Sequence, residues 1–401
     1  MKNLVIISIL LCLVACKQNK KEKEITKDNS IEQKDSLTNE LNKIYDRNQF
    51  KGFSVAIVNE DKTLYQKGFG YADIKSKKAY SEKTIQPIAS ISKVLIGISL
   101  LKAQEMNKLN LDDPINKYLP FEIANPNFPN IPITIRQLAT HTSSIHDKDF
   151  YWYHSYILKN VVNKNSTNDS IPFYFKEQKN AIDLADFLQK RFEKSGEWYN
   201  SDIYLNKKPN EVYEYSNIGS ALCAYVIELA TETPYNDFTR QNILKPLDMK
   251  SSGWFFNEVN FDNYATIYSN SKIIPPYSLI TYPDGGFITS SEDLAKLLTE
   301  FIKGYNGKGT LLNENSYKEI FKSQVKDIPK DEDVEKIGIF IEFGEEGIGH
   351  SGGDPGINSL MFFNPKTNIG RILITNTDSS KDEWGNDFWE IWNTMEKQEI
   401  E

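Results

Sequence analysis

The chain is poor in the residues that several functional classes depend on. It holds 3 cysteines and 4 histidines in 401 residues, and no spacing of His, Cys, Asp or Glu suggests a metal site. Positive charge is not in excess: 47 lysines and arginines stand against 55 aspartates and glutamates, for a formal net charge of −8. With no basic cluster outside a lysine-rich stretch near the start, nucleic acid is excluded as an expected partner. No internal repeat is present. After the first residues, no run is long and apolar enough to cross a bilayer as a helix. What the chain does have is material for a large core, 39% hydrophobic and 12% aromatic, which makes it a globular protein.

The opening "MKNLVIISILLCLVAC" places one Lys before a short apolar run. The run is too short to span a membrane, and residues 1–15 read as a secretory signal. A small residue just before Cys16 resembles the lipobox of bacterial lipoproteins. That resemblance implies that Cys16 is lipidated and that the mature chain hangs from a membrane of the bacterial cell envelope, facing the periplasm or the exterior. Cys12 would leave with the signal, and Cys223 stands alone in an apolar helical pattern, so no disulfide is expected and Cys223 reads as a core residue. Residues 16–36 mix lysines with acids, carry few large apolar side chains and read as a solvated tether. The globular part is expected over 37–398.

Within it, a helix is expected near 37–48. "FSVAIVNEDKTLYQKGFGYAD" (53–73) has two β-rich runs about Asn59–Lys62 and reads as a hairpin. Helical spacing follows from Ser90 to Asn107, near 181–193, over 218–232 and, between Ser290 and Gly304, over 291–303. Short strands are expected through 336–377, then an aromatic-rich helix over 383–395. Strands, a long helical middle and more strands suggest one sheet built from both ends of the chain.

The helix at Ser90 opens against local rules. A Ser N-cap is favourable, but the first turn then favours an acid, and here it carries Lys93. Ser90 and Lys93, three apart, share a helix face, whereas Ser92 points away. A serine hydroxyl needs an adjacent base, and a lysine serves if burial lowers its pKa. The same Ser-x-x-Lys spacing recurs at Ser99–Lys102, Ser269–Lys272 and Ser323–Lys326, but only Ser90 opens a long helix.

Two further motifs follow in order: Tyr215-Ser216-Asn217 just before an amphipathic helix, and His350-Ser351-Gly352-Gly353 in a glycine-flanked strand. With Ser90-x-x-Lys93 they resemble the class C β-lactamase and penicillin-binding family of serine hydrolases, which uses Ser-x-x-Lys, Tyr-x-Asn and Lys-Thr-Gly or His-x-Gly. The likeness covers roughly residues 40–380 and includes "TIRQLATHTS" (134–143) and "GGFITSSEDLAK" (285–296). A second Tyr-Ser-Asn, 268–270, has no helix after it and reads as coincidence.

The resemblance implies an α/β (α+β) fold of the β-lactamase/transpeptidase type. Its antiparallel sheet is flanked by helices, and an all-helical lobe is inserted at roughly 105–280. It further implies attack by Ser90 on an amide or ester carbonyl, with Lys93 and Tyr215 sharing the proton and Tyr215 at a lowered pKa. Asn217 would bind the substrate amide or the Lys93 ammonium. His350, Ser351, Gly352 and Gly353 would line the substrate, and the Ser90 and Gly353 amides would form the oxyanion hole. No metal or other cofactor is implied. The expected partners are a small-molecule or peptidoglycan-derived substrate and, through the lipid, a membrane, with the chain acting as a monomer. A non-catalytic peptidoglycan- or glycan-binding lipoprotein using the same cleft is the alternative.

The chain departs from the family pattern in several places. His350 stands where true β-lactamases have Lys and is largely neutral at pH 7, which weakens the grip on a substrate carboxylate. Ser144, Asn210 and Asp248 replace glycines, a change that Asn and Asp tolerate in left-handed backbone. The insert 146–210, with "FYWYH" at 150–154, is expected to pack its aromatics mainly as core. His141 reads as structural, and His146 and His154 lie in the insert.

Overall fold

The computed structural model describes residues 32–47, 50–159, 174–269, 272–325, 335–378 and 384–398. Cys16, the signal and most of the expected tether lie outside them. Two compact units emerge: the two terminal segments, up to residue 49 and from 384 on, and the body, 50–383. In the terminal unit, a helix runs over 32–45, five residues earlier than expected, so the tether does not extend to 36. Leu37, Leu41 and Ile44, spaced for one helix face, are buried, and this apolar stripe carries the helix. The second helix, Trp384–Lys397, buries Ile391, Trp392 and Met395.

The body is organised on an eight-stranded antiparallel sheet. Its order is Lys336–Ile337, Glu342–Gly344, Gly347–Asp354, Ile357–Asn364, Ile369–Thr375, Gly52–Val58, Thr63–Asp73 and Lys78–Ala79. The hairpin turns where expected: the Asn59 side chain accepts from the amides of Asp61 and Lys62, each at 2.9 Å, a local turn that Asn favours. Gly52–Val58 then pairs with Ile369–Thr375, from Phe53 opposite Thr375 to Val58 opposite Gly370. Thus a strand from near the start of the body and one from near its end meet at mid-sheet.

The middle of the chain is not all helical. Helices Lys148–Ser155, Leu184–Phe192 and Asn217–Thr231 are joined by β pieces: Tyr156–Leu158 pairs with Tyr277–Leu279, and Ile267–Ser269 with Lys272–Ile274. Apolar runs of three residues are too short to show a period, so sequence reading could not separate them from helix. The second Tyr-Ser-Asn opens inside one of these strands. Its Tyr268 hydroxyl accepts from the Ile74 amide at 3.1 Å. At the three substituted glycine positions the backbone is left-handed, with φ of 64° at Ser144, 70° at Asn210 and 55° at Asp248.

Helix Lys93–Glu105 is buried on every side over most of its length, as a central helix must be. Gly97 makes this possible. A Cβ there would stand 2.7 Å from the Ile339 carbonyl oxygen, so the helix approaches the 338–341 turn backbone to backbone. Gly97→Ala is therefore expected to cost about 1–3 kcal/mol through overpacking, read as a lower urea midpoint with an unchanged m-value.

Candidate active site

The nucleophile candidate sits on a strained turn rather than on a helix cap. Residues Ala89–Ser92 form one 3₁₀ turn ahead of the α-helix, and neither Ile88 nor Ser92 caps the helix through its side chain. Ala89 has φ of 48°, a left-handed conformation that costs an L-residue about 1–2 kcal/mol. The unexpected Lys in the first turn is explained by where it goes: Lys93 is 0% exposed.

Its ammonium nitrogen lies 3.0 Å from Ser90 Oγ, 2.7 Å from Asn217 Oδ1 and 2.7 Å from the Asp284 carbonyl oxygen. The last two are acceptors only, so they take two N–H bonds and leave the third position, facing Ser90, for either a proton or a lone pair. Burial lowers the Lys93 pKa, against the pull of Asp284, Asp147, Asp354 and Glu342. As placed, Lys93 Nζ donates to Ser90 Oγ; burial favours the neutral amine, the form that would keep two N–H groups on Asn217 and Asp284 and turn a lone pair to the Ser90 hydroxyl.

Tyr215 completes the cluster in a different state from the one expected. Its ring lies 5.0 Å from Lys93 Nζ, and its phenol interacts with Ser90. Burial, reinforced by the Glu342 charge, pushes its pKa well above the ordinary value, not below it. The reason is tertiary: complete burial outweighs attraction to nearby cations. Tyr215 is thus a neutral hydroxyl that can donate. His141 stacks on its ring at 4.4 Å and accepts the Ser216 amide proton through Nδ1 at 3.1 Å, so it is the Nε2–H tautomer. Its pKa lies well below 6.5, mainly through burial.

Asn217 is aimed by a residue that sequence reading missed. Asp147 accepts from Ser216 Oγ at 2.8 Å and from the amides of Asn217 and Ile218 at 2.7 and 3.0 Å. A carboxylate at this helix N-terminus meets the unpaired amides and the dipole together. One more acid among 55, in an insert, carried no sequence signal. Asp284 is another: it is fully buried, Tyr151 donates to its Oδ1 at 2.8 Å, and burial pushes its pKa up to about 8. In the insert, Tyr151 is buried, whereas Trp152 and Tyr153 are exposed, so the aromatics are only partly core.

The glycine-flanked strand passes directly over Ser90. A Cβ on Gly352 would meet the Ile88 carbonyl oxygen at 2.4 Å and the Ser90 amide nitrogen at 3.2 Å, so only glycine allows this approach. Ser351 and Gly353 are exposed, while His350 is buried, its Nδ1 2.6 Å from the Ser351 carbonyl oxygen and its Nε2 3.5 Å from Glu342. Burial lowers the His350 pKa despite the nearby Glu342. The strand therefore presents no fixed cation. Among the described residues, no cluster suited to a metal ion is found.

Because Asp147 holds both the cap and Asn217, Asp147→Ala is expected to cost about 1–2 kcal/mol of stability. Thermal unfolding reads that loss, and acylation should fall with it as Asn217 loses its orientation.

The chain is similar to known proteins in sequence and in fold. The chain is 26% identical over 340 residues to protein flp of Staphylococcus aureus (strain NCTC 8325 / PS 47), covering 82% of this chain and 60% of the relative. It is 28% identical over 317 residues to the human mitochondrial serine beta-lactamase-like protein LACTB, covering 69% and 57%. It thus spans less than two thirds of the length of these relatives. Among solved structures, D-amino acid amidase from Ochrobactrum anthropi SV3 superposes with a TM-score of 0.68 at 19% identity, over 90% of this chain and 99% of that one. A class C beta-lactamase superposes at 0.66 and 17%, over 91% and 97%. Residues 35–396 match the beta-lactamase family, and the chain belongs to that family.

Proposed function

We propose that the protein is a serine hydrolase that acts through an acyl-enzyme on an amide or ester carbonyl. The observation that carries this reading is the 3.0 Å contact between Ser90 Oγ and a Lys93 nitrogen that is wholly buried. Neutral Lys93 takes the Ser90 proton as Oγ attacks the carbonyl carbon. The Ser90 amide, with that of Gly353, stabilises the oxyanion. The leaving amine or alcohol departs with a proton delivered by Lys93 or relayed through the Tyr215 hydroxyl, and water, deprotonated by the same pair, hydrolyses the ester. Candidate substrates are D-amino-acid peptides of the cell wall, small esters and β-lactams. The neutral, buried His350 argues against carboxylate-anchored β-lactams as the preferred class. A purely binding role would not need a buried lysine aimed at a serine hydroxyl.

Ser90→Ala is expected to abolish the mass shift that a fluorescent penicillin or a short ester produces in the intact protein, while Ser92→Ala retains it. Ser92 accepts the Phe287 amide at 3.1 Å and supports the fold only. Equal loss from both changes would sink the assignment.

The pH dependence follows from the direction of the Lys93 shift. The base is the deprotonated form, so kcat/KM rises with pH through the lowered pKa of Lys93 and falls on the acid side. Lys93→Arg fixes a positive charge that cannot be lost near neutrality. It is expected to lose about 10²–10⁴-fold in kcat/KM, the share of a positioned base.

We further propose attachment to the bacterial cell envelope through lipidated Cys16. Cys16→Ser should move the protein from the membrane fraction to the soluble envelope fraction, because the acyl groups carried by Cys16 would supply the membrane affinity. Retention of the variant on membranes would refute the anchor.

A further inference from the structure

Strand Gly347–Asp354 places alternate side chains on one face, so His350, Gly352 and Asp354 point the same way. Since Gly352 lies over the Ser90 amide, the nucleophile is flanked along the strand by His350 on one side and Asp354 on the other, each about 6–7 Å from Gly352. The His350 side is neutral and paired with Glu342. The Asp354 side is different. Its Oδ1 accepts from the Tyr156 hydroxyl at 2.5 Å, and among the described residues no side chain donates to Oδ2. That oxygen lies 3.7 Å from where a Cβ on Gly285 would stand, and Gly285 follows Asp284, whose carbonyl holds Lys93. Asp354 as a residue is half-buried.

Its donor, Tyr156, stands in a cluster of aromatic rings. Tyr156 stacks on Trp152 at 5.5 Å and on Phe175 at 5.2 Å, and meets Tyr174 at 5.4 Å and Tyr277 at 5.7 Å. Trp152 is 41% exposed, so the wall reaches solvent. Lys93 in its charged form acts on Asp354, but its nitrogen is already directed at Ser90, Asn217 and Asp284.

We propose that Asp354 and this aromatic wall form a subsite that selects acyl donors bearing an ammonium group. Amino-acid amides and esters with a free amino group are then preferred over N-acylated or carboxylate-bearing ones. The proposal rests on the acyl-enzyme reading above and names its substrate class. An ammonium on the carbon next to the scissile carbonyl, or one or two bonds beyond, gains a charged hydrogen bond to the open oxygen, with the exposed Trp152 ring at the rim of the same wall. A carboxylate there meets Asp354, with Asp284 behind it and no fixed cation on the strand.

The groups facing Asp354 are Tyr156, Tyr151, Tyr174 and Tyr277, with Lys93 and Asp284 on the nucleophile side and Asp378 beside Tyr277. Burial pushes the Asp354 pKa up to about 7, so the carboxylate forms as pH rises through 7. An α-amino group loses its proton near 8. Preference for the amine therefore peaks between those values.

The test uses the full chain with the p-nitroanilides of alanine and phenylalanine, both enantiomers, each as free amine, N-acetyl and N-succinyl, from pH 5.5 to 8.5. The expected result is a kcat/KM for at least one free amine about 10-fold or more above its N-acetyl form, with the N-succinyl form lowest. Asp354→Asn should collapse that ratio, mainly through KM, and Tyr156→Phe should reduce it less. A wild-type ratio near or below one, or equal loss on both forms in Asp354→Asn, overturns the subsite. The wild-type ratio decides the matter even if the variant does not fold. Intact-mass analysis with p-nitrophenyl acetate separates the two readings. If Ser90 is acylated but the ratio is near one, the subsite alone fails; if no ester or anilide acylates Ser90, the hydrolase reading fails and the subsite with it.

Discussion

The site is organised by one buried nitrogen. Lys93 sits where an ammonium is expensive, and it is tolerated because Asn217 and the Asp284 carbonyl satisfy it, while the surrounding acids offset part of the burial cost. The lysine and these two partners come from three distant parts of the chain: the central helix, the helix that starts at Asn217 and the turn at 282–284. Holding them within 2.7 Å of one atom requires that all three backbones be fixed. Asp147 at the Asn217 helix, Tyr151 on Asp284 and Gly97 against Ile339 supply that fixing. Loss of such supports leaves a buried polar group unpaired, which costs about 1–3 kcal/mol each.

Ser90 pairs with this lysine only because of a local irregularity. The 3₁₀ turn and the left-handed Ala89 lift the serine out of a cap geometry, in which its oxygen would serve the helix amides. The hydroxyl is then available to Lys93 and Tyr215. Strained backbone of this kind persists when packing around it is over-determined, and Gly352, lying against Ile88 and Ser90, forms the other wall of that packing.

The electrostatics of the cleft are those of a buried, acid-rich pocket around a single lysine. Burial raises the pKa values of Tyr215, Asp284 and Asp354 and lowers those of Lys93 and His350. In each case the charged form is disfavoured. The result is a site of neutral donors and acceptors about one base, suited to proton transfer and ill suited to gripping a substrate carboxylate.

The residues whose chemistry depends on type and spacing were legible from sequence. Ser90, Lys93, Tyr215 and Asn217 were found by motif order, and left-handed backbone was foreseen at Asn210 and Asp248, where short polar side chains tolerate it. The hairpin about Asn59 and the helix capped by Ser290 were equally readable, because turns and caps are written in neighbouring residues. What depends on burial was not. The lowered pKa expected for Tyr215 failed for that reason, whereas the cap role of Ser90 was lost to the 3₁₀ turn and the purely helical lobe to strands too short to show a period. Asp147, Asp284, Glu342 and Asp354 looked like surface acids until distant segments closed over them. Sequence by itself determined which groups could react and in what order along the chain. The tertiary structure alone decided which were desolvated, and hence which carry charge, since burial is set by contacts between residues far apart in sequence.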